Sequence, residues 1–496
     1  MKVLVVGAGA REHALCWKLR QSPLLKDLYC APGNPGISRL ADLVPVAPEE
    51  IHRLADFASD LRIDLTIVGP ELPLTLGIAD EFGRRGLPIF APSQRAAEIE
   101  GSKVFAKQFM ERHGIPTAPF AVVHGAAEAR AACSRFGFPV VIKADGLAAG
   151  KGVLIAAGEE DLEAAIVTLF EERRFGAGSD RAVVEQFLPG EEVSFMALSD
   201  GERLLPLAVS KDYKRIGDGD TGPNTGGMGS HSPGGLPSGE AAAEIVEKVM
   251  RTTIDGLAEE GRPFVGVLYA GMMLTADGPK VLEFNARLGD PEAQVLLLRL
   301  EDDLLPVLAG AAAGDFDQLR RLRFRKEAAA CIVLASRGYP GRPVTGEVIS
   351  GLERAAQLGA EVFHAGTQRG PRGELLTAGG RVLSVCALGP DLVGALKRAY
   401  AAVGEIQWPG KVYRRDIGRR VLDQAPAADR IRRDNVSKTN PLAEAKGRSV
   451  GWYSSCISGN CCRRWNGSDD HGGMFRLRFQ GNGDRRRRLL RRRALP

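Results

Sequence analysis

The sequence predicts a protein of mixed α/β and α+β class, built from several domains and opening on a parallel α/β unit. Three observations carry that expectation. The chain has 496 residues, several times the length of a typical domain. Its first hundred residues alternate β-branched apolar runs with helical segments, the mark of an open parallel sheet. Further on, apolar runs joined by hairpin signals replace the alternation. Hydrophobic residues make up 44% of the chain and charged residues 26%, enough to bury sizeable cores. No apolar run approaches the roughly 18 residues of a membrane span, and MKVLVVGAGA reads as a first strand and not as a secretory leader. Secreted, membrane and wholly disordered classes are excluded on this reading, and a cytoplasmic protein is expected.

Taken in order, KVLVVG at 2–7 is a strand, and REHALCWKL after the glycine turn is a helix. Further strands are expected at Asp64–Val68 and Pro88–Ala91, and this first domain ends near Glu100. Ser102 caps a helix through KVFAKQFMERH, stopped by Gly114. The apolar strand PVVIKA, the loop DGLAAGKG and the strand VLIA follow, then a helix at Asp161–Phe170 and the strand RAVVEQF. Residues 192–200 and 204–210 read as strands. From Asp212 to Ser238 the chain is rich in Gly, Pro, Asn and Thr and lacks periodicity, which predicts a long functional or disordered loop. A helix near 240–259 precedes YAGMMLTADGPKVLEFNAR, where Asp277-Gly278 between apolar runs signals a hairpin. A last mixed domain holds the strands AACIVLA and RVLSVCAL and the helix DLVGALKRAYAAV.

Charge is unevenly spread. The chain carries 66 basic and 61 acidic residues, but residues 424–496 alone hold 17 basic and 6 acidic ones. The body is therefore mildly acidic, and overall basicity says nothing about what it binds. Of the eight cysteines, five (Cys16, Cys30, Cys133, Cys331 and Cys386) lie scattered in the body without metal-ligand spacing, as in a reduced cytosolic protein. Cys456, Cys461 and Cys462 form a pattern that is weak evidence for zinc.

Four segments carry chemistry. In GAGAREHA, Gly7 and Gly9 supply two positions of a dinucleotide fingerprint, with Glu12 where the third glycine belongs. A strand, a glycine turn and a helix N-terminus make an anion site, so a phosphate site and a purely structural turn both stand open. In VIKADGLAAGKGV, Lys143 ends a strand and Lys151 sits in the next loop with Gly146, Gly150 and Gly152. Amides freed by glycine can fold over a triphosphate while two ammonium groups neutralise it; the alternative is a lysine-bearing hairpin on a solvated face. In VLEFNARLGDPE, Glu283 and Asn285 leave one face of a strand and suit Mg²⁺, which takes hard oxygen ligands. Arg287, Asp290 and Glu292 follow at once. In EQFLPGEEVSF, Glu185 ends a strand and Gly190 turns the chain to Glu191 and Glu192; such a segment can present backbone groups to an adenine edge, or simply connect strands.

Together these segments resemble the ATP-grasp ligases. The strings GAGAREHALCWKL, APGNPG, DLTIVGPELPLTLGIAD, EGSKVFAKQFMERHGIPTA, VIKADGLAAGKGV, SKDYKRIGDGDTGPNTGGMG, LYAGMML and EFNARLGDPEAQ follow the order seen in the phosphoribosylamine–glycine ligase (glycinamide ribonucleotide synthetase) family, from Met1 to about Leu422. The resemblance implies an N-terminal domain over 1–100 that takes the substrate phosphate. It implies an ATP-grasp domain over 101–322, with two sheets clasping ATP and a lid at about 120–188, and a smaller C-terminal mixed domain over 323–422. The implied reaction ligates glycine to 5-phosphoribosylamine with ATP, through glycyl phosphate, in purine synthesis. Lys103, Lys143 and Lys151 would bind ATP phosphates with Gly146, Gly150 and Gly152, and Glu185, Phe187, Leu188 and Glu192 the nucleoside. Glu283 and Asn285 would carry Mg²⁺, with Mn²⁺ as an alternative. Arg287, Asp212 and Lys214 are the implied catalytic residues. Gly9, Arg11, Glu12, Asn224, Thr225, Gly226, Gly227, Met228, Asp290 and Glu292 would face phosphoribosylamine and glycine. A monomer without membrane or nucleic-acid partners is expected of the body.

Three positions depart from the family pattern: Ala10 for a second glycine, Tyr213 for a histidine, and Leu288 for a phenylalanine. Tyr213 could alter contacts in the substrate pocket, whereas Leu288 bears on packing. A rival ATP-grasp carboxylase or formylase would share the lysines and metal pair but not the glycine-asparagine-threonine loop. A nicotinamide oxidoreductase is disfavoured by the missing third glycine. Residues 423–496, with RRRRLLRRR, read as a polybasic arm for nucleic acid, a disordered extension, or a non-native read-through or frameshifted product, the last two being favoured by the abrupt change in composition. Truncation after Leu422 is expected to leave ligase turnover intact.

Overall fold

The computed structural model describes residues 1–147, 152–235, 239–316 and 321–424. The chain divides into Met1–Ser437 and Lys438–Pro496, and everything below concerns the first unit. The basic tail and the loop residues Gly150 and Lys151 lie outside the described residues.

Val3 to Val6 are wholly buried, as befits a central strand covered on both faces. Alternate residues enter different cores: Val3 and Val5 join one apolar cluster, Leu4 and Val6 another. This strand, Lys2–Gly7, is the middle of a five-stranded parallel sheet ordered Asp42–Leu43, Asp27–Pro32, Lys2–Gly7, Leu65–Val68, Ile89–Phe90. The next strand in sequence pairs on one side and the later Leu65–Val68 on the other. The turn Gly7–Gly9 therefore sits at a topological switch point, where open α/β sheets bind ligands.

Two antiparallel sheets follow. One is ordered Phe120–Val123, Ala182–Gln186, Val140–Ala144, Val153–Ala156. The other is ordered Leu204–Pro206, Glu191–Asp200, Val265–Thr275, Gly278–Asn285. The expected hairpin turns at Asp277-Gly278, with Gly278 at φ +102°. The connector between the sheets passes Gly190, where a Cβ would stand 2.3 Å from the Leu274 carbonyl oxygen; only glycine lets the backbones approach so closely.

The stretch from Asp212, expected as an unstructured loop, is built differently over its described part. Lys211–Asp212 and Gly229–Ser232 are strands, and Arg215–Gly217 pairs with Thr221–Asn224 as a hairpin between them. Gly229–Ser232 pairs with Ala328–Ala335, so two strands from before residue 323 complete a five-stranded antiparallel sheet with Arg381–Gly389 and Glu361–His364. The sequence hides this because the strand is polar although buried: Ser230, His231 and Ser232 are fully covered. The two serines are satisfied, the Ser230 hydroxyl donating to Pro291 O at 2.8 Å and the Ser232 hydroxyl to Val209 O at 2.8 Å, and His231 Nδ1 lies 2.9 Å from Pro233 O. Helix Leu392–Glu405, capped by Asp391, packs on this sheet. Among the described residues no helix is long and apolar enough to cross a membrane.

Candidate active site

The carboxyl end of the parallel sheet, both antiparallel sheets and the Lys211–Asn224 segment line one cleft of about 800 Å³. Lys143 and Glu283 both face it, as the sequence reading requires.

Lys143 closes the apolar strand Val140–Ala144. Its ammonium donates to Leu282 O at 2.7 Å and pairs with Glu185 Oε1 at 2.6 Å. Lys103 opens the helix Lys103–Arg112, whose N-terminus is fixed twice: the Ser102 hydroxyl accepts from Phe105 N–H, and Asp145 Oδ1 accepts from Val104 N–H at 3.1 Å. That places Lys103 Nζ 3.8 Å from Glu283 Oε2. Gly146 and Gly152 flank the same wall.

Glu283 and Asn285 point from one face of Gly278–Asn285 into the cleft. Lys214 Nζ lies 3.3 Å from Glu283 Oε1. Burial opposes ionisation of Glu283, but the ammonium groups of Lys214, Lys103 and Lys143 outweigh it and hold its pKa well below the usual carboxylate range. Burial likewise opposes the charge on Lys214, yet Glu192 and Glu283 push its pKa well up. A permanently ionised carboxylate beside an amide oxygen, both open to the cleft, is a donor set that fits a hard divalent cation sharing its sphere with phosphate oxygens. Arg287 donates to Asn285 Oδ1 at 3.3 Å and pairs with Glu100 at 3.0 Å and Glu71 at 3.5 Å. Burial works against this guanidinium, but Glu100 and Glu71 more than compensate and raise its pKa.

At the expected nucleoside end, Glu185 lines the cleft. Its buried carboxylate is taken by Lys143 on one oxygen and Lys107 on the other. Burial raises the pKa of Glu185, and the two lysines reverse the sign. Exposed Phe187 and buried Leu188 line the cleft beside it, and Glu192 pairs with Lys214.

At the switch point Gly9, Arg11 and Glu12 line the cleft. Glu12, at the third position of the helix, accepts the Gly9 N–H at 2.6 Å on Oε2 and pairs with Arg11 at 2.6 Å on Oε1. The carboxylate expected to face a ribose phosphate is instead the turn's own cap. An added Cβ at Gly69 would stand 2.0 Å from Glu12 Oε1, which shows how closely the backbone wraps that side chain. Arg11 also donates to Leu288 O at 3.1 Å.

Asp212, Asn224, Thr225, Gly226, Asp290 and Glu292 complete the wall. Burial first, then the nearby Glu292 charge, raises the pKa of Asp212 well above that of an ordinary aspartate. Glu292 Oε1 accepts from Tyr269 at 2.7 Å and from Ser194 at 3.1 Å. The Thr225 hydroxyl donates to Lys214 O at 2.8 Å and accepts from Gly227 N–H at 3.0 Å. Gly227 and Met228 are corrections: neither lines the cleft. Met228 is wholly buried and its backbone joins Tyr213 and Val333. Gly227 has φ +107°, with Asp212 Oδ1 2.7 Å from where a Cβ would stand. Tyr213 joins the cleft wall, while its ring packs into the C-terminal core and its hydroxyl accepts from Gly418 N–H at 2.9 Å, so this departure from the family pattern bears on both the scaffold and the pocket.

Sequence reasoning missed Lys107, Glu71, Glu100 and Arg381. Lys107 stands four residues after Lys103 on the same helix face, a signal that was available. Arg381 lies on the C-terminal sheet, and nothing local marks it.

A triphosphate-sized cleft between two antiparallel sheets, walled by lysines and facing an oxygen-donor pair, defines an ATP-dependent ligase of the ATP-grasp type. Three family models match: the phosphoribosylglycinamide synthetase N domain over residues 1–100, its ATP-grasp (A) domain over 101–293, and its C domain over 329–420. The chain belongs to the phosphoribosylglycinamide synthetase family. Among similar proteins are the phosphoribosylamine–glycine ligases of Mesorhizobium japonicum, 48% identical with 84% of this chain and 98% of the relative covered, and of Allochromatium vinosum, 49% identical with 85% and 99% covered. The crystal structure of phosphoribosylamine–glycine ligase from Thermotoga maritima matches with a TM-score of 0.73 at 34% identity, covering 84% of this chain and all of that one. A biotin carboxylase domain from Hydrogenobacter thermophilus, TM-score 0.63 at 17% identity, covering 83% of this chain and 91% of that one, shares the fold.

Proposed function

We propose that the cleft ligates glycine to 5-phosphoribosylamine at the expense of ATP, giving glycinamide ribonucleotide, ADP and phosphate. A glycine carboxylate oxygen attacks the γ-phosphorus and the bond to the β-phosphate oxygen breaks, releasing ADP and leaving glycyl phosphate. The amine of phosphoribosylamine then attacks the acyl carbon, phosphate leaves, and the amine gives up a proton. Charge builds on phosphoryl oxygens throughout, so fixed cations do most of the work.

The arrangement that carries this reading is Lys143 and Lys103 facing Glu283 and Asn285 across one cleft. Lys103 and Lys143 hold the ATP phosphates with Gly146 and Gly152, and Gly150 and Lys151 are assigned to the same role from the sequence. Phe187 and Leu188 hold the nucleoside, with Glu192 on the ribose. Arg287, fixed by Glu100 and Glu71, steadies the glycine carboxylate and then the acyl phosphate. Lys214 and the segment Asn224–Gly226 face the reacting centre. Asp212, which lines the cleft, takes the proton from the amine. Gly9 and Arg11 with Asp290 and Glu292 face phosphoribosylamine. Glu283 and Asn285 would hold Mg²⁺, or Mn²⁺, which would neutralise phosphate charge. The protein acts as a monomer in the cytoplasm, where its five described cysteines, all buried and unpaired, stay reduced.

Product analysis tests this. Protein is mixed with ATP, Mg²⁺, glycine and freshly generated phosphoribosylamine. ADP release that requires glycine and the sugar amine together is expected; release with bicarbonate or formate in place of glycine would overturn the assignment.

A further inference from the structure

Lys107 is buried to 2% exposure yet touches no face of the cleft. It closes a circuit of polar contacts. Its ammonium pairs with Glu185 Oε2, and Glu185 Oε1 pairs with Lys143 at 2.6 Å. Lys143 donates to Leu282 O at 2.7 Å. On the other side Lys107 donates to the Thr117 hydroxyl at 2.6 Å, which donates to Val281 O at 2.7 Å. The circuit begins and ends on neighbouring carbonyls of the strand that carries Glu283. It joins side chains from the sheet of Lys143 to side chains from the helix of Lys103. The backbone of Val281 is pinned to the same connector, its N–H donating to Pro116 O at 2.7 Å.

Two ammonium groups share one carboxylate here, and only one of them reaches the cleft. Lys143 already spends two of its three N–H donors on Glu185 and Leu282 O, so an arriving phosphate draws its charge away from Glu185. A buried carboxylate stripped of its only counter-ion is costly, so with Lys143 as sole partner that exchange would be resisted. We propose that Lys107 is a positioning residue for nucleotide binding: it stays behind as the standing counter-charge of Glu185 and so frees Lys143 for ATP phosphates. The like charge of Lys107 also repels Lys143 towards the cleft. Burial lowers the Lys107 pKa, to about 8, with Glu185 pulling the other way and Lys143 adding to the fall, as befits an ammonium held dry beside a shared carboxylate.

This inference rests on the cleft being an ATP site, and the test separates the two. ATP, ADP and adenosine binding to the full chain are measured by calorimetry for wild type, Lys107→Gln and Lys107→Arg, with thermal midpoints recorded for each. The expected result is at least a tenfold loss of ATP and ADP affinity in Lys107→Gln, adenosine affinity within twofold of wild type, and recovery of most of the loss in Lys107→Arg. In turnover, KM for ATP rises while KM for glycine holds. Equal loss of adenosine and ATP affinity, unchanged ATP affinity in a folded Lys107→Gln, or no recovery with arginine would overturn the proposal. Should wild type itself fail to bind ATP, the ATP-site reading falls instead.

Discussion

Arg381 Nη2 lies 2.9 Å from Asp290 Oδ2, and its Nη1 donates to Asp290 O at 2.7 Å. The same nitrogen donates to the carbonyl oxygen of Gly226. One guanidinium from the C-terminal sheet thus ties the glycine-rich segment to the turn that follows the Glu283 strand, and burial of that charge is offset first by Asp290.

Removing this clamp tests how far the C-terminal sheet completes the site. Charge-assisted hydrogen bonds contribute about 1.5–3 kcal/mol each. Arg381→Gln is therefore expected to lower kcat/KM for glycine by roughly 10- to 100-fold. Steady-state kinetics at saturating ATP checks it; an unchanged kcat/KM would show that the segment holds its shape unaided.

Glu283→Gln removes the ionised partner of Lys214 and Lys103 while keeping shape. Turnover should fall by at least about 100-fold at any attainable Mg²⁺ concentration, since the amide oxygen left in place brings no negative charge to the cation. Titration of ATP-dependent turnover with Mg²⁺ reads this directly.

Gly227→Ala places a Cβ 2.4 Å from Pro291 Cδ and 2.7 Å from Asp212 Oδ1, at φ +107°. A loss of about 2 kcal/mol or more in unfolding free energy is expected, with turnover reduced because Asp212 must move. Chemical denaturation together with kinetics tests both halves.

Acid should loosen the seam between the first helix and the C-terminal sheet. His364 N–H donates to His13 Nδ1 at 2.8 Å, so the His13 ring is neutral there. Burial first, then His364 and Arg39, lowers the His13 pKa to about 3; burial, then Arg39 and Arg369, lowers that of His364 to about 4. Because both folded values lie below the unfolded one, this stability is intact above pH 6.5 and drains away as pH falls towards 4. By pH 4 the loss is about 3 kcal/mol per ring. Denaturation midpoints across pH 4–7 should fall steeply in wild type and less so in His13→Gln.

Tyr213→Phe deletes the hydroxyl that accepts from Gly418 N–H. Stability should drop by about 1–2 kcal/mol, with KM for glycine unchanged. A raised KM would show that the hydroxyl also shapes the cleft wall that Tyr213 joins.

What the sequence made legible was local. Lys143 at the end of an apolar strand, and Glu283 with Asn285 two residues apart, declare their faces through strand alternation alone. Ser102 announces the helix that aims Lys103. Contacts made across long separations stayed hidden. The two lysine partners of Glu185 come from other elements. Arg381 binds carbonyls 154 and 155 residues away, and Gly229–Ser232 pairs with a strand about a hundred residues on, beyond the reach of any local pattern. Met228 was drawn in by its glycine neighbours, although its side chain is core.

That last pairing has a consequence for synthesis. Because Gly229–Ser232 is held by Ala328–Ala335, the segment carrying Asp212 and Lys214 gains its final support only after the ribosome has delivered those later residues. A nascent chain halted before them would possess the walls that grip ATP but lack the frame for the acceptor side. Products that stop before Ala328 are therefore expected to lack turnover.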